Sequence, residues 1–182
     1  MYFDWKKMPL KKARSGAHTP IVIIGAGPIG LAMGLAMARQ GIASIVLETR
    51  DQVSDGSRAI ALTRRTMQIF DGLGVGNAVL EKAHLWDLNA VHYGDQLVYE
   101  MSLEQPPFEK HQMTNLQQCW IEQIFLDRLA ADNLADVRWG NELVRLEQYD
   151  DIVHLGVRGP DGIEYEITTD YVIAADGARG DP

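Results

Sequence analysis

The most informative stretch of the chain is Ile21-Val22-Ile23-Ile24-Gly25-Ala26-Gly27-Pro28-Ile29-Gly30, followed by an Ala-, Leu- and Met-rich run that extends to Gln40. The β-branched residues at its start are typical of a buried parallel strand. The run from Leu31 to Gln40 predicts a helix that Gly41 ends. The glycines between the two predict a tight turn. A strand, a tight turn and a helix in this order open a βαβ unit, so we expect an α/β fold of the Rossmann type.

Each glycine of the turn has a physical role in binding a dinucleotide. Gly25 permits the sharp exit from the strand, Gly27 leaves room for a pyrophosphate beside the backbone, and Gly30 allows the helix to pack close to the strand. Pro28 suits the first helical turn, where its missing N–H costs nothing. We expect the free N–H groups near Pro28, Ile29 and Gly30 to bind phosphate with help from the helix dipole.

The residues around this turn also resemble a membrane segment. From Thr19 to Ala38 the chain is uncharged and mostly apolar, as a transmembrane span would be, and the preceding stretch is basic. The tripeptide Ala36-Met37-Ala38 imitates a signal-peptide cleavage site. The glycine break in the first third of the segment argues against both interpretations, so we expect no membrane partner.

A second apolar strand, Ala43-Ser44-Ile45-Val46-Leu47, follows the helix and ends at Glu48, eighteen residues after Gly30. In a βαβ unit a carboxylate at this position can accept hydrogen bonds from the ribose hydroxyls of an adenosine. Because an acid there disfavours a 2′-phosphate, the pattern favours FAD or NAD over NADP. The alternative is that Glu48 is a solvated residue at a strand end.

Composition places the chain among ordinary globular proteins. It has 182 residues, a formal charge of -8, 46% hydrophobic residues and a single cysteine, Cys119. These values exclude wholesale disorder and a disulfide scaffold, and they favour a cytoplasmic location. The acidic balance argues against nucleic-acid binding, and the five histidines show no metal-ligand spacing. A basic cluster lies in residues 1–18, which we interpret as a solvated, partly disordered tail before a domain at 19–182.

Three further stretches contain residues suited to cofactor binding. They are Gly56-Ser57-Arg58-Ala59-Ile60, Gln118-Cys119-Trp120-Ile121-Glu122 and Tyr171-Val172-Ile173-Ala174-Ala175-Asp176-Gly177-Ala178-Arg179-Gly180. With the glycine turn, they make the chain from about Pro20 to Gly180 resemble the FAD-dependent aromatic-ring monooxygenases, the single-component flavin hydroxylases. Within that family the chain most resembles the 3-(3-hydroxyphenyl)propionate hydroxylase-like and phenol hydroxylase-like enzymes.

The resemblance implies cofactor contacts in each of these stretches. Arg58 matches a family arginine that reaches the flavin cofactor, and a guanidinium there can meet pyrophosphate oxygens as a fork. The alternative is a surface arginine. Gln118 matches a glutamine that contacts the cofactor, with Gln117 as the alternative because Cys119 replaces the usual proline. Asp176-Gly177 matches a motif that serves both FAD and reduced-nicotinamide binding.

The remaining segments predict β-structure. Residues 137–169 alternate as in a β-meander with a turn at Pro160-Asp161-Gly162, and Val144 on that meander is a further candidate cofactor contact. We expect parallel strands at 21–24, at 44–47, near Val137 and at 171–175, in an order that places the glycine turn and Asp176 at the same edge of the sheet. Leu85 to Met101 predicts a hairpin that turns at Gly94-Asp95. In the family such a hairpin joins the sheet of the substrate domain, so we expect residues 84–112 to begin that sheet.

The resemblance implies an oxidoreductase in which NADH or NADPH reduces FAD, and the reduced flavin and oxygen hydroxylate a small phenolic or aromatic substrate. No side chain looks like a general base, so we name no catalytic residue. A later family motif and most of the substrate pocket lie beyond this sequence. We therefore expect the N-terminal part of a longer enzyme, inactive alone and able to self-associate through the exposed hairpin. The alternatives are a non-catalytic dinucleotide-binding remnant and half of an NAD-dependent dehydrogenase.

Overall fold

The computed structural model describes residues 3–12, 15–55, 60–102 and 113–179. The strands are β1 (Ala17–Ile24), β2 (Ser44–Glu48), β3 (Ala61–Leu62), β4 (His84–Trp86), β5 (Leu88–Tyr93), β6 (Gln96–Ser102), β7 (Met113–Asn115), β8 (Ala135–Trp139), β9 (Glu142–Tyr149), β10 (Ile152–Arg158) and β11 (Glu164–Ala174). The helices are α1 (Pro28–Arg39), α2 (Arg64–Gly72), α3 (Gly76–Leu80) and α4 (Gln118–Ala130), and a 3₁₀ turn spans Gly177–Arg179.

The main sheet has six strands in the order β8-β2-β1-β11-β10-β9. The first four are parallel, and β10 and β9 run antiparallel to their neighbours. The Rossmann-type fold with an attached meander is therefore confirmed, including the predicted parallel strand near Val137, which is β8. The segment from Thr19 to Ala38 forms the end of β1, a turn and α1 rather than one helix. Within the described ranges, no helix combines the length and the apolar character needed to cross a membrane.

Strand β11 belongs to both halves of the sheet. The sequence predicted a meander ending near Thr169 and a separate strand at 171–175, but the structure has one continuous strand. Its residues 164–169 pair with β10, and its residues 167–174 pair with β1. The Thr169 hydroxyl lies 3.1 Å from the Pro20 carbonyl oxygen and 3.0 Å from that of Tyr171. This change of partner lets one strand end beside the glycine turn.

The sheet buries apolar side chains on both faces. On one face, α1 and α4 pack over a core that includes Ile23, Leu31 and Phe125. On the other face, the meander curls over β1 and β2, and Leu47 and Ile167 lie in the core between them. Fully burying side chains of this size contributes about 1.5–3 kcal/mol each, so both layers hold the carboxyl ends of the parallel strands in place.

The predicted hairpin is confirmed as β5 and β6, which turn at Gly94 with φ +56°. It forms a two-stranded sheet of its own, while β4 pairs with β7 in a small sheet that also contains β3. The hairpin carries exposed apolar side chains, among them Tyr93 at 83% and Val98 at 62% exposure. Its membership of a substrate-domain sheet stays a prediction.

Residues 3–12, which we call the strap, lie against the domain, although most of their side chains are exposed. Phe3 is buried, the Met8 N–H donates to the Asp51 carbonyl oxygen at 2.7 Å, and Leu10 forms a parallel bridge to Trp139 on the edge strand β8. Ion pairs join Lys7, Lys11 and Lys12 of the strap to Asp51, Asp136 and Asp161. The strap therefore contacts the domain through a buried aromatic ring, a backbone hydrogen bond and lysine ion pairs.

Candidate functional site

The glycine turn is shaped by close backbone contacts. Gly25 has φ +101°, and a Cβ there would lie 2.5 Å from the carbonyl oxygen of Ala175. A Cβ at Gly30 would collide with the Gly25 carbonyl oxygen and lie 3.4 Å from the Ile23 side chain, so Gly30 serves the turn as well as helix packing. A Cβ at Gly27 would meet nothing within 4 Å. The backbone at Gly27 is therefore open to a ligand.

The N-terminus of α1 faces this opening. Gly27 is the N-cap and makes no side-chain cap, and Pro28 is the first helical residue. The first hydrogen bond of the helix is from the Leu31 N–H to the Gly27 carbonyl oxygen at 3.0 Å. The N–H groups of Ile29 and Gly30 come before it and have no acceptor within the helix. They point the positive end of the helix dipole toward the open side of Gly27, as a phosphate site requires.

Glu48 ends β2 and is held against the glycine turn. Its side chain is only 7% exposed, so the alternative of a solvated strand end is wrong. Its Oε2 accepts the Ala26 N–H at 2.9 Å, and its Oε1 accepts the Arg50 N–H and Nε–H, both at 3.0 Å. Burial by itself would raise the pKa of the Glu48 carboxyl, but the hydrogen bonds from Arg50 and Ala26 outweigh it and hold the pKa below its ordinary value.

A second buried carboxylate continues this network to α4. Glu122 is fully buried and accepts both the N–H and the hydroxyl of Ser54 at 2.7 Å. The Gln118 amide donates to Glu122 Oε1 at 2.8 Å and to Ser54 Oγ at 3.1 Å, and Arg50 Nη1 donates to Ser54 Oγ at 3.3 Å. Hydrogen bonds thus connect Glu48 to Gln118 through Arg50 and Ser54.

Sequence reasoning missed the roles of Arg50, Ser54 and Glu122. Arg50 and Ser54 lie in a polar loop of ordinary composition, and only the position of Arg50 two residues after Glu48 hinted at a pairing. Glu122 was noted within its motif, but its burial depends on packing of α4 that the motif does not show. Charged groups are almost never fully buried unless their polar atoms are bonded, and Glu122 meets this condition through Ser54 and Gln118.

The predicted Asp176-Gly177 motif lies beside the glycine turn. A Cβ on Gly25 would lie 3.1 Å from the Cα of Asp176, and the Ala175 N–H donates to the Ile24 carbonyl oxygen at 2.8 Å. Gly177 has φ +81°, and Asp176 is exposed. The expectation that the glycine turn and Asp176 share one edge of the sheet is confirmed.

Val144 lies on a different surface. It lines an open groove of about 1220 Å³ between the meander and the last residues of β11, together with Ile24, Tyr171 and Asp176. Glu48 and the glycines of the turn do not line this groove. The structure therefore groups Val144 with Asp176 and not with the N-terminus of α1.

The other predicted positions are placed as follows. Arg58 lies outside the described residues. Gln117 is the exposed N-cap of α4, while Gln118 begins the helix and joins the buried network. Cys119 is buried, and burial raises the pKa of its thiol. In the part of the chain that the structure describes, no cluster of three His, Cys, Asp or Glu side chains is placed to bind a metal.

Taken together, the geometry suits an adenine dinucleotide. Helix N–H groups and an open glycine can receive phosphates, and a buried carboxylate stands at the end of the neighbouring strand. A family model described as FAD binding domain matches residues 18–181. The chain belongs to the FAD-binding domain family.

Relatives of this FAD-binding domain include flavin-dependent hydroxylases. The 3-(3-hydroxy-phenyl)propionate/3-hydroxycinnamic acid hydroxylase of Burkholderia cenocepacia strain HI2424 is 30% identical over 183 residues, which cover 92% of this chain and 31% of the relative. The chain thus spans about a third of that relative's length. The resemblance to flavin hydroxylases, restricted to their N-terminal part, is confirmed.

Solved structures of the same class superpose on this domain. The p-nitrophenol 4-monooxygenase PnpA from Pseudomonas putida DLL-E4 has a TM-score of 0.84 at 25% identity, covering 91% of this chain and 42% of that one. The flavin-dependent monooxygenase PieE, solved with FAD and substrate, has a TM-score of 0.80 at 26% identity, covering 91% of this chain and 31% of its own.

Proposed function

We propose that this chain binds FAD at the glycine turn and is the FAD-binding portion of an NADH- or NADPH-dependent monooxygenase that hydroxylates a small aromatic substrate. The observation that carries the proposal is the buried Glu48 carboxylate, held by the Ala26 N–H beside the open backbone of Gly27. When bound, FAD supplies the redox and oxygen chemistry. The chain's own residues bind and orient it.

The residues that would hold FAD divide by the part they contact. The N–H groups at the start of α1, with Gly25, Gly27, Pro28, Ile29 and Gly30 around them, would bind the pyrophosphate. Glu48 would bind the ribose, and its weakest present contact, 3.3 Å from the Thr49 hydroxyl, is the one that a ribose hydroxyl can replace. The family resemblance adds the following residues: Arg58, Gln118, Val144, Asp176 and Gly177.

A visible spectrum of the purified protein, with the cofactor released and identified, tests FAD binding directly. Yellow protein that releases FAD supports the proposal, and colourless protein that takes up no added FAD contradicts it. Glu48→Ala should weaken FAD binding by about 1–3 kcal/mol, roughly tenfold or more in the dissociation constant. Glu142→Ala, which removes an exposed glutamate paired with Arg158, is the matched control and should leave that constant unchanged.

The monooxygenase part of the proposal concerns the whole enzyme. It is supported by the names of the relatives, which this chain matches over about a third of their length. We expect no hydroxylation by the chain alone in an oxygen-consumption assay with reduced nicotinamide, FAD and a panel of phenols. Turnover in that assay would contradict the assignment to the FAD-binding portion. A cytoplasmic location, inferred from the lone Cys119, belongs to the same proposal.

We also infer that the chain self-associates through the β5–β6 hairpin, with a second copy covering its apolar side chains. Exposed apolar surface and unpaired strand edges both favour association. Val98→Lys should shift light scattering toward the monomer. Ile163→Lys, at a similarly exposed apolar residue in the meander turn, should not. Equal scattering by the two variants would contradict the assignment to the hairpin.

A further inference from the structure

The strap contacts the loop that follows Glu48. We call residues 51–55 the Ser54 loop; it begins directly after Arg50 and ends three residues before Arg58. The Trp5 indole Nε1–H donates to the Ser54 carbonyl oxygen at 2.9 Å. The Met8 N–H donates to the Asp51 carbonyl oxygen at 2.7 Å. Two backbone carbonyls of the loop are therefore held by the strap.

The strap is itself anchored on α4. The Phe3 ring packs edge-on against Trp5, with ring centroids 5.0 Å apart, and against Trp120 of α4, with centroids 4.9 Å apart. The Lys82 ammonium lies 4.3 Å from the centre of the Trp120 ring. Edge-on aromatic pairs and a cation above an indole are both favourable contacts. The indole that bonds to Ser54 is 41% exposed and packs on the Phe3 ring, which in turn contacts α4.

Ser54 is held from two sides as a result. Its N–H and hydroxyl donate to Glu122, and its carbonyl oxygen accepts from Trp5. Its hydroxyl also accepts from Arg50 and Gln118. All polar groups of this buried residue are therefore hydrogen-bonded. The residues matched by the FAD-binding family model begin at 18, so the strap lies outside the matched segment.

We propose that the strap is a positioning element of the cofactor site, with Trp5 as a positioning residue. By holding Ser54, Trp5 also holds the Arg50 guanidinium that bonds both Ser54 and Glu48. Trp5 acts through the loop and contacts no cofactor. The expected effect of the strap on FAD binding rests on the proposed function. The expected effect on the conformation of the Ser54 loop does not depend on it.

The test compares Trp5→Phe with Trp86→Phe. Both keep an aromatic ring and remove an indole hydrogen bond of 2.9 Å, but Trp86 donates to Asn115, outside the strap. Trp5→Phe should raise amide hydrogen exchange at Ser54 and its loop neighbours about fivefold to tenfold. It should also raise the FAD dissociation constant about threefold to tenfold. Trp86→Phe should change neither value, and thermal unfolding should show similar stability for the two variants.

A measurement on the unmodified protein provides a second test. Coupling between two sites is reciprocal, so saturating FAD should slow exchange of the Met8 amide severalfold. Unchanged exchange at Met8 on FAD binding, or equal loop exchange in the two variants, overturns the inference. Protein that takes up no FAD contradicts the proposed function instead. In that case the amide exchange rates of the Ser54 loop in the two variants decide the question. Faster exchange in Trp5→Phe alone supports positioning by the strap, and equal exchange in both variants rejects it.

Discussion

Replacing Glu48 with alanine should destabilise the protein even without cofactor. The change leaves the buried Ala26 N–H without its acceptor, at a cost of about 1–3 kcal/mol. It also releases the Arg50 guanidinium, which loses its hydrogen bonds to both carboxylate oxygens. Breaking a fully buried pair costs about 3–5 kcal/mol, but the Arg50 side chain is 41% exposed and can turn to water.

We therefore expect the Glu48→Ala variant to lose about 2–3 kcal/mol of unfolding free energy, near the cost of the Ala26 N–H alone. For a domain of this size that lowers the Tm by about 5–10 °C. The assay is urea unfolding followed by circular dichroism and tryptophan fluorescence, whose transitions should coincide. Glu142→Ala is the control: its carboxylate is half exposed and bonds Arg158 at 3.0 Å, and its loss should cost less than about 1 kcal/mol.

The refuting result is a comparison of these two variants. If the Glu48→Ala and Glu142→Ala variants lose the same unfolding free energy, the Glu48 carboxylate does not hold the glycine turn in solution. The hydrogen-bond network that begins at Glu48 would then make no measurable contribution to stability. A loss limited to FAD affinity, with unchanged unfolding, would mean that Glu48 contacts the ligand but does not organise the empty site.

Further expectations concern the turn, the helix, acid stability and the thiol. Gly25→Ala should cost more than about 2 kcal/mol of unfolding free energy, because φ is +101° and the Cβ would lie 2.5 Å from a carbonyl oxygen. Gly34→Ala should instead be tolerated or stabilise α1 by up to about 1 kcal/mol, because its Cβ would meet its nearest neighbour at an ordinary 3.5 Å; thermal unfolding checks both variants. Because the pKa of Glu48 is lowered in the folded protein, its carboxylate stabilises the fold at pH values above the ordinary pKa of 4.5. This stability is lost as the pH falls through the lowered folded-state pKa. The urea midpoint should therefore fall more steeply on acidification in the unmodified protein than in Glu48→Ala. Alkylation of Cys119 by iodoacetamide should be far slower than that of a free cysteine until urea unfolds the chain, because burial raises the pKa of the thiol and covers it.

Local patterns in the sequence were enough to predict most of the fold. The β-branched run before Gly25 predicted β1. The glycine spacing predicted the turn, because a Cβ would obstruct the backbone conformation and the close approach that the turn requires. Alternation and turn residues predicted the β9–β11 meander and the β5–β6 hairpin. In each case the residues that determine the structure are neighbours along the chain. The position of Glu48 at a strand end followed from the same reasoning.

Contacts between distant parts of the chain were decided only by the tertiary structure. Trp5 and Ser54 are 49 residues apart, and Ser54 and Glu122 are 68 residues apart. No local pattern pairs an indole with a distant carbonyl, so the lysine-rich strap was interpreted as a tail. The continuous β11 likewise depends on which strand lies on each side of it. The sequence determined the βαβ turn because the turn depends on the conformation that single residues can adopt. The position of the strap and the burial of Glu122 depend on tertiary packing, because their partners meet only when the chain has folded.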